Sequence, residues 1–446
     1  MFEFLIWVVI AMVVLGILYA YAGSGDVFHP VMFTGPMMIF IYAWMPMKLN
    51  ASGGLDAFFQ RDQLIYVQLI NIAGIACFLW GCLSVGCKVS PARAQQQEMT
   101  AEGARVLTLV GIVLGCIGVS AWSYAILNVG GFSAAFGQSY GGGWDDSGYI
   151  RDASLLMFPA FLLILSAAMR TGTLRIAYIP LLILFIAPWC IQAALAAKRG
   201  PTFILSVIIT MGWYLNRRSR PSIVVAATCG LGVGFLILFL VTNRQNIHLG
   251  SDSELTTDVT TMVEKPDTGN EYIYGTGAIL ASDQTGKFYW GRRYLAQILV
   301  RPIPSAIWPT KYADFGVAEI EHNAGTGEGF VEALGWEGAV GSAPGIISDL
   351  WLEFKWFNLP FLWLMGWLYG KAWRKTHEVG GVWNTQYVIA AALSIYFVMQ
   401  TMEAVIFRLL MLSIPVWLAW RGARPRRWQP DYQEEGMAFE VHSSRI

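Results

Sequence analysis

A stretch of cations and aromatic side chains near the middle of the chain has the residue types best suited to chemistry. Its cations are Lys287, Arg292, Arg293, Arg301 and Lys311, and its aromatic side chains include Tyr289, Trp290, Tyr294 and Trp308. Guanidinium groups bind phosphate oxygens in pairs, and aromatic rings stack on the faces of sugars. The stretch therefore predicts a site for a glycosylated phosphate. An aromatic belt that anchors a short amphipathic helix at a membrane interface would use similar residues and is the alternative.

A second pair of cations, Lys198 and Arg199, lies in a very short turn between two apolar segments. The segment that follows would be roughly 22 Å long as a helix, which is less than the roughly 30 Å of a hydrocarbon core. Cations at membrane depth are costly unless they face a cavity, a counter-ion or an anionic ligand. We therefore expect this pair to bind an anion, with snorkelling to lipid headgroups as the alternative.

Candidate bases follow the cationic stretch. Glu321, His322 and Glu328 surround or enter a glycine-rich run, and a general base needs a pKa near neutrality, which histidine has without help. Each of them could equally be a solvated loop residue. The sequence has no zinc-ligand spacing, no phosphate-binding loop and no dinucleotide fingerprint, so we expect neither a metal nor a cofactor.

The elements that must position these residues are membrane helices. The chain is 55% hydrophobic and 13% charged, whereas a soluble domain has about a quarter charged residues. Eleven segments are apolar enough to predict transmembrane helices. They are 2–22, 30–47, 64–87, 106–129, 153–169, 176–197, 202–215, 222–241, 357–370, 386–402 and 405–420. The predicted fold class is an all-α polytopic membrane protein with a large periplasmic loop between helices 8 and 9.

The distribution of Lys and Arg predicts the orientation, because short loops rich in these residues stay on the cytoplasmic side. It places the N-terminus outside and the C-terminus inside. The predicted divisions are 1–242 with helices 1 to 8, a periplasmic loop domain with short helices at 243–347, 348–422 with helices 9 to 11, and a cytoplasmic tail at 423–446. All six cysteines fall in apolar segments and are expected to be small core residues. The net charge of zero makes nucleic acid an unfavourable partner.

Several short motifs, taken in order, resemble the O-antigen polymerases of the Wzy type, also called oligosaccharide repeat-unit polymerases. They are Asp26 to Pro30 before the second helix, Gly130 to Ser133 at the start of an outer loop, Lys198 to Pro201, and Arg301 to Lys311. The segment Pro344 to Trp356 is similar to a further family segment, but it ends in Phe-Lys-Trp where the family has Asn-Phe-Gly.

The resemblance implies an inverting glycosyl transfer at the periplasmic face of a bacterial inner membrane. A glycan on undecaprenyl pyrophosphate would be moved onto a new lipid-linked repeat unit of O-antigen, the glycan of lipopolysaccharide, or of exopolysaccharide. Possible partners are then membrane lipid and a chain-length-determinant copolymerase. The pyrophosphate-binding candidates are Lys198, Arg199, Arg244, Arg292, Arg293, Arg301 and Lys311. The predicted base is His322, with Glu321 or Glu328 behind it.

Three other functions remain open on the sequence. An O-antigen ligase has the same leaving group and differs in its acceptor. A flippase or other carrier of lipid-linked sugar needs a polar path through the bundle, and few charges occur in the apolar segments. A scaffold subunit of an export machine would have no chemistry.

Overall fold

The computed structural model describes residues 1–88, 99–138, 148–169, 173–217, 219–251, 255–258, 271–305, 307–317, 331, 335 and 343–423. The described secondary structure is helical.

The helices of the first part of the chain are mostly long. They are α1 (Phe2–Ser24), α2 (Pro30–Ile39), which continues through a π-helical turn (Phe40–Trp44) into α3 (Met45–Ala51), α4 (Arg61–Ser84), α5 (Ala101–Asn128), α6 (Phe132–Phe136), α7 (Gly148–Ser154), α8 (Met157–Ala168), α9 (Ile179–Leu195), α10 (Arg199–Asn216) and α11 (Ile223–Asn243). Helix α1 ends where Gly25 adopts a left-handed conformation and donates its N–H to the Tyr21 carbonyl.

The second part contains shorter helices and then three long ones. They are α12 (Glu271–Thr285), α13 (Arg292–Leu295), a π-helical turn (Ala296–Val300), α14 (Lys311–Asp314), α15 (Gly345–Phe354), α16 (Asn358–Glu378), α17 (Val382–Met399) and α18 (Met402–Ala423). The three long helices overlap the predicted segments 357–370, 386–402 and 405–420.

Within the part of the chain that the structure describes, nine helices are long and apolar enough to cross a membrane. The protein is thus an α-helical, membrane-embedded chain. The other two predicted segments also form helices, α10 and α16, but these are not among the nine. The count of eleven crossings stays a prediction.

Two helices of the predicted outer insert pack into the bundle. Residues 271–282 of α12 are all buried, and residues 345–353 of α15 are buried too. Tyr272 contacts the Phe2 ring and donates a hydrogen bond to Gln68 on α4 at 3.1 Å. The insert is therefore anchored beside the start of α1. We call this end of the molecule the insert end.

At the opposite end of the molecule, a buried polar group around Asp26 links the helices. Asp26, after α1, accepts hydrogen bonds from Trp373 at 2.9 Å and from Arg220 at 3.1 Å, and its carboxylate lies 2.8 Å from His377 Nε2. Burial by itself would raise the pKa of Asp26, but the His377 hydrogen bond and the Arg220 charge hold it well below its usual range. Since α1 is about 34 Å long at 1.5 Å per residue, this group lies far from the insert end.

Glycines allow α4 and α16 to touch along their backbones. A methyl group on Gly366 would collide with the Phe78 carbonyl, and one on Gly81 would collide with the Trp363 carbonyl. Small residues permit such close helix approach inside membranes, where lipid supplies no hydrophobic driving force. This contact holds α16, and with it the chain that returns from the insert.

The cysteine prediction is wrong for half of the residues. Cys82 and Cys87 are buried, but Cys116, Cys190 and Cys229 are exposed on the surface of the bundle, and all six are free. In a membrane helix an apolar side chain can face lipid as well as core, so an apolar neighbourhood alone does not place it inside.

Candidate functional site

A buried carboxylate with two arginines lies at the insert end, and we call it the Asp152 group. Asp152, on α7, forms an ion pair with Arg301, and its Oδ1 lies 3.4 Å from Nε of Arg408 on α18. The Asp152 side chain is 1% exposed, whereas Arg301 and Arg408 are 21% and 17% exposed. Its two guanidinium groups share this carboxylate and are still within reach of solvent.

Aromatic rings hold the two guanidinium groups of the Asp152 group in place. Arg301 lies 4.7 Å from the centre of the Phe407 ring, and Arg408 lies 4.9 Å from the centre of the Tyr396 ring. Arg301 also donates to Gln297 Oε1 at 2.9 Å. These contacts fix the planes of both guanidinium groups, which lowers the entropic cost of binding an oxyanion.

The start of α10 lies next to the same tyrosine. A methyl group on Gly200 would come within 3.0 Å of the Tyr396 hydroxyl oxygen, so the backbone at Gly200 runs directly against that ring. Ala197 is forced to a positive φ of 47° where the chain turns into α10. The helix has no side-chain cap at its first turn, and such a terminus favours negative charge.

Arg199 is the first residue of α10 and forms an ion pair with Glu271, the first residue of α12. The Glu271 side chain is 2% exposed and the Arg199 side chain is 37% exposed. The carboxylate thus orients a guanidinium whose other edge reaches solvent. The structure therefore brings Arg199 and Arg301, which the sequence separates by a hundred residues, to the same end of the bundle around Tyr396.

Arg293 occupies a different environment, which we call the Arg293 group. Its side chain is 3% exposed and lies among three carboxylates, with Nη2 3.0 Å from Asp349 Oδ1, Nε 2.5 Å from Glu403 Oε1 and Nε 3.6 Å from Glu353 Oε1. The pKa of Arg293 is raised well above its usual value, since the three carboxylates outweigh the effect of burial. Three acidic side chains around this buried guanidinium do not favour binding of pyrophosphate there, and the role predicted for Arg293 stays a prediction.

The ammonium group of Lys311 is also bound by other groups of the protein. It is 1% exposed, and its Nζ donates to the carbonyl of Ile303 at 2.5 Å and to that of Arg301 at 3.5 Å. Its ammonium group closes the stretch from Arg301 to α14 into a compact loop. We therefore interpret Lys311 as a residue that positions Arg301.

The four aromatic side chains predicted to stack on sugar are not equivalent. Tyr294 donates to Asp349 at 2.7 Å, and Tyr289 lies 5.3 Å from the Arg293 guanidinium, so both support the Arg293 group. Trp308 donates to Asp314 at 2.6 Å within its own loop. Trp290 is 60% exposed, so its ring is accessible to a ligand. Its backbone has a positive φ of 53°.

The remaining predicted cations lie nearer the surface. Arg244 follows α11 and is exposed, Arg292 begins α13 and is exposed, and Lys198 precedes α10 and is partly buried. The predicted bases His322, Glu321 and Glu328 lie outside the described residues.

Sequence reasoning missed most of the acidic partners. Asp152, Glu271, Asp349 and Glu353 carry the ion pairs described above, and none of them was a candidate. The signal that could have found them is a single charge next to an apolar segment. Such charges are costly in a membrane unless paired.

An open apolar pocket of about 430 Å³ lies on the outer side of α5 and α7, beside the Asp152 group in sequence. It is lined by Ser120, Ala121, Tyr124, Ile150 and Ala153. The arrangement as a whole can hold an anion at Arg199, Arg301 and Arg408, with an apolar surface nearby.

Comparison with protein-family models, with curated proteins and with solved structures gave no match to this chain.

Proposed function

We propose that this protein polymerises undecaprenyl-pyrophosphate-linked oligosaccharide repeat units by inverting glycosyl transfer at the periplasmic face of a bacterial inner membrane. The observation that carries the proposal is a chain of contacts at one end of a helical membrane bundle. Arg301 and Arg408 share the buried Asp152 carboxylate, Arg408 lies against the Tyr396 ring, and Gly200, next to Arg199, packs against the same tyrosine. The order of the motifs given above supports the proposed family, and the geometry of these arginines supports the proposed chemistry.

The leaving group of this reaction needs cations, because a pyrophosphate gains negative charge as its bond to the sugar breaks. Arginines fixed in a partly dry site stabilise that charge without reorganising in the transition state. Arg301 and Arg408 share one carboxylate and are 21% and 17% exposed, while Arg199 is 37% exposed. The first turn of α10 adds the partial positive charge of a helix N-terminus.

The lipid part of the substrate needs apolar surface next to these cations. The pocket between α5 and α7 is apolar and open, and it flanks Arg151 and Asp152 in sequence. Exposed Trp290 is the aromatic side chain best placed to stack on a sugar. A chain-length-determinant copolymerase remains a proposed partner of the assembled enzyme.

The proposed topology has eleven crossings, with the N-terminus and the insert end in the periplasm and the C-terminus in the cytoplasm. It takes α10 and α16 as crossings in addition to the nine apolar helices. The support is that the alternate loops rich in Lys and Arg, with Arg217, Arg220 and Arg374, lie at the Asp26 end, away from the insert.

The test is extension of purified lipid-linked repeat units by the full-length protein in liposomes, without nucleotide sugar and with a chelator present. We expect the wild-type protein to form a ladder of longer glycans. Arg301→Ala and Arg199→Ala should each slow extension by about 100-fold or more, which is typical for the loss of one donor to a developing charge.

Arg61→Ala is the matched control, because Arg61 lies at the same end but pairs with Asp56 at 2.8 Å on the surface, where its side chain is 51% exposed. It should extend glycans at the wild-type rate. Transfer to lipid A core without chain growth would favour the ligase. Transport of the lipid-linked units across the liposome membrane by the wild-type protein, with no glycosyl transfer, would contradict the proposal and favour the carrier.

A further inference from the structure

The short helix that precedes Arg301 exposes apolar side chains on one face. It is continuous over Arg292–Val300, as α13 and the π-helical turn that follows it. Leu295, Ile298 and Leu299 are 47%, 40% and 57% exposed. Four residues of the opposite face are buried: Arg293, Ala296, Gln297 and Val300. We call the three exposed side chains, together with the 63% exposed Phe357, the apolar patch.

Aromatic contacts hold this helix against the start of α16. The Trp290 ring, just before the helix, lies 6.5 Å from the Phe357 ring. The Tyr294 ring lies 6.0 Å from the Phe354 ring, which stacks on Phe361 of α16 at 4.1 Å. The helix Arg292–Val300 and Phe357 therefore lie at the level at which α16 begins.

The contact between α16 and α4 shows how far along the bundle that level is. A methyl group on Gly74 would lie 3.0 Å from Leu362, and one on Gly366 would collide with the Phe78 carbonyl. The two residues of each pair are 288 positions apart in the sequence. The two helices therefore run side by side in the same direction, with a constant difference in residue number at these contacts.

Phe357 lies well below the start of α4. The same difference places it level with Leu69, an exposed residue eight positions after Arg61, where α4 begins. Helix α4 is long and apolar enough to cross a membrane, and its 24 residues span about 36 Å at 1.5 Å each. A hydrocarbon core is about 30 Å thick, so a crossing by α4 leaves at most about 6 Å of its length above the core. Leu69 and Phe357, about 12 Å below the start of α4, are then about 6–12 Å inside the core.

Cations border the apolar patch, and the segment around it contains no acid. Residues 284–313 include no Asp or Glu. Arg292 is exposed at the start of the short helix. Lys355, which is 43% exposed, lies two positions before Phe357, with Nζ 5.3 Å from the centre of the Phe288 ring and 3.9 Å from Asp283. Long cationic side chains on an apolar surface extend to the phosphates of lipid headgroups, and such cations attract anionic lipid.

The charges also favour lipid over a second copy of this chain as the occupant of the apolar patch. A symmetric contact would place the same patch of each copy against the other. It would bring the cations at the border of one patch toward those of the other, which is unfavourable. A layer of anionic phospholipid offers acyl chains to the apolar side chains and phosphates to the cations.

We propose that the helix Arg292–Val300 lies in the bilayer interface at the insert end, with the apolar patch among the acyl chains. Arg292 and Lys355 bind the phosphates of anionic phospholipid. An interfacial amphipathic helix buries its apolar face about 5–10 Å into the boundary between headgroups and acyl chains, which agrees with the level of Phe357. Trp290 lies at the border of the patch, where an aromatic ring is next to the headgroups and can also reach the sugar of a lipid-linked glycan. The insert is then partly a membrane-bound surface, whatever reaction the protein catalyses.

Fluorescence quenching in liposomes of phosphatidylethanolamine and phosphatidylglycerol tests the position of the helix. A bimane fluorophore is attached after Leu299→Cys in the full-length protein, with the six native cysteines replaced by alanine. Ser52→Cys is the matched control, because Ser52 is exposed in the turn before α4 at the same end. We expect brominated phospholipid to quench bimane at position 299 and the water-soluble quencher acrylamide to lose access to it. The control should show the reverse.

Two outcomes would overturn the position. Quenching by acrylamide at position 299 as strong as at position 52 would mean that the helix faces water. Protection of position 299 from both quenchers would mean that protein, such as a second copy of the chain, covers the patch. Thermal unfolding of each labelled variant shows whether it is folded.

The cations are tested with the same fluorophore. At equal mole fraction, brominated phosphatidylglycerol should quench position 299 more than brominated phosphatidylcholine does. Arg292→Gln combined with Lys355→Gln should remove this difference, whereas Arg61→Gln, at a surface residue above the patch, should leave it unchanged. An undiminished difference in the double variant would overturn the role of these two cations.

The unmodified protein provides a test that needs no substitution. A photoreactive phospholipid in the same liposomes should label residues 290–300, mapped by mass spectrometry, and leave residues 52–60 unlabelled. Absence of label from 290–300 would overturn the proposal. None of these measurements depends on glycosyl transfer, so they keep their meaning if the proposed polymerase activity fails its own test.

Discussion

Replacement of Asp152 by asparagine should destabilise the protein by about 3 kcal/mol. The substitution preserves the shape of the side chain but removes the negative charge that Arg301 and Arg408 share. At 3.4 Å and an effective dielectric constant of about 20, the Coulomb attraction of Arg408 is about 5 kcal/mol before desolvation. Loss of one partner of a buried pair usually costs about 3–5 kcal/mol. Because the guanidinium groups are 21% and 17% exposed, water can partly solvate them, and the lower value applies.

The assay is thermal unfolding of the detergent-solubilised protein, followed by tryptophan fluorescence, with a double-mutant cycle. Arg408→Met alone should be strongly destabilising. In the Asp152→Asn background it should cost less, because it relieves the repulsion between two unneutralised cations, and the coupling should be about 1.5–3 kcal/mol.

Asp56→Asn is the control for this cycle, because its surface pair with Arg61 should contribute about 0–1 kcal/mol. The reasoning would be refuted if Asp152→Asn unfolded at the wild-type temperature. Equal effects of Arg408→Met in both backgrounds would refute it as well, since they would mean that the two arginines do not share the carboxylate.

Three further changes have defined outcomes. Gly366→Leu should lower the unfolding temperature sharply, because its side chain collides with the Phe78 carbonyl, whereas Gly232→Ala, in open space on α11, should have little effect. Lys311→Met should cost about 1–3 kcal/mol and speed proteolysis of the loop that begins at Arg301, because two carbonyls lose their donor, and an unchanged cleavage rate would contradict this role. The last change is in pH. Glu353 has a folded-state pKa of about 8 against a usual value of 4.5, so the folded state binds a proton that the unfolded state releases between these values. The contribution of Glu353 to the free energy of unfolding should therefore be greatest below about pH 4.5 and fall as the pH rises toward about 8. Glu353→Gln should flatten this slope in pH-dependent melts. A parallel slope in the variant would exclude Glu353 as its source.

Much of the helical framework could be predicted from the sequence, because length and hydropathy are local properties. The predicted segments 2–22 and 222–241 match helices Phe2–Ser24 and Ile223–Asn243 closely. The cationic stretch and the Lys198 to Pro201 turn were also visible, since charge within an apolar sequence needs no knowledge of neighbours. The same local signal could not show that residues 271–282 and 345–353 of the insert are buried.

The partners of the charges depended on tertiary structure. Arg301 pairs with Asp152 across 149 positions, and Arg199 pairs with Glu271 across 72. No local pattern specifies such pairs, because they arise from which helices pack together. Arg293 and Arg301 look alike in sequence, eight positions apart, yet three acidic side chains surround the first, while the second shares one buried carboxylate with Arg408.

The sequence by itself thus determined a membrane-embedded helical chain and the residues that carry its positive charge. Tertiary structure decided which of those cations are neutralised by acids and which face solvent at the insert end. The physical reason is that hydrophobic length is fixed by consecutive residues, whereas the electrostatic state of a side chain depends on burial and on neighbours brought from distant parts of the chain.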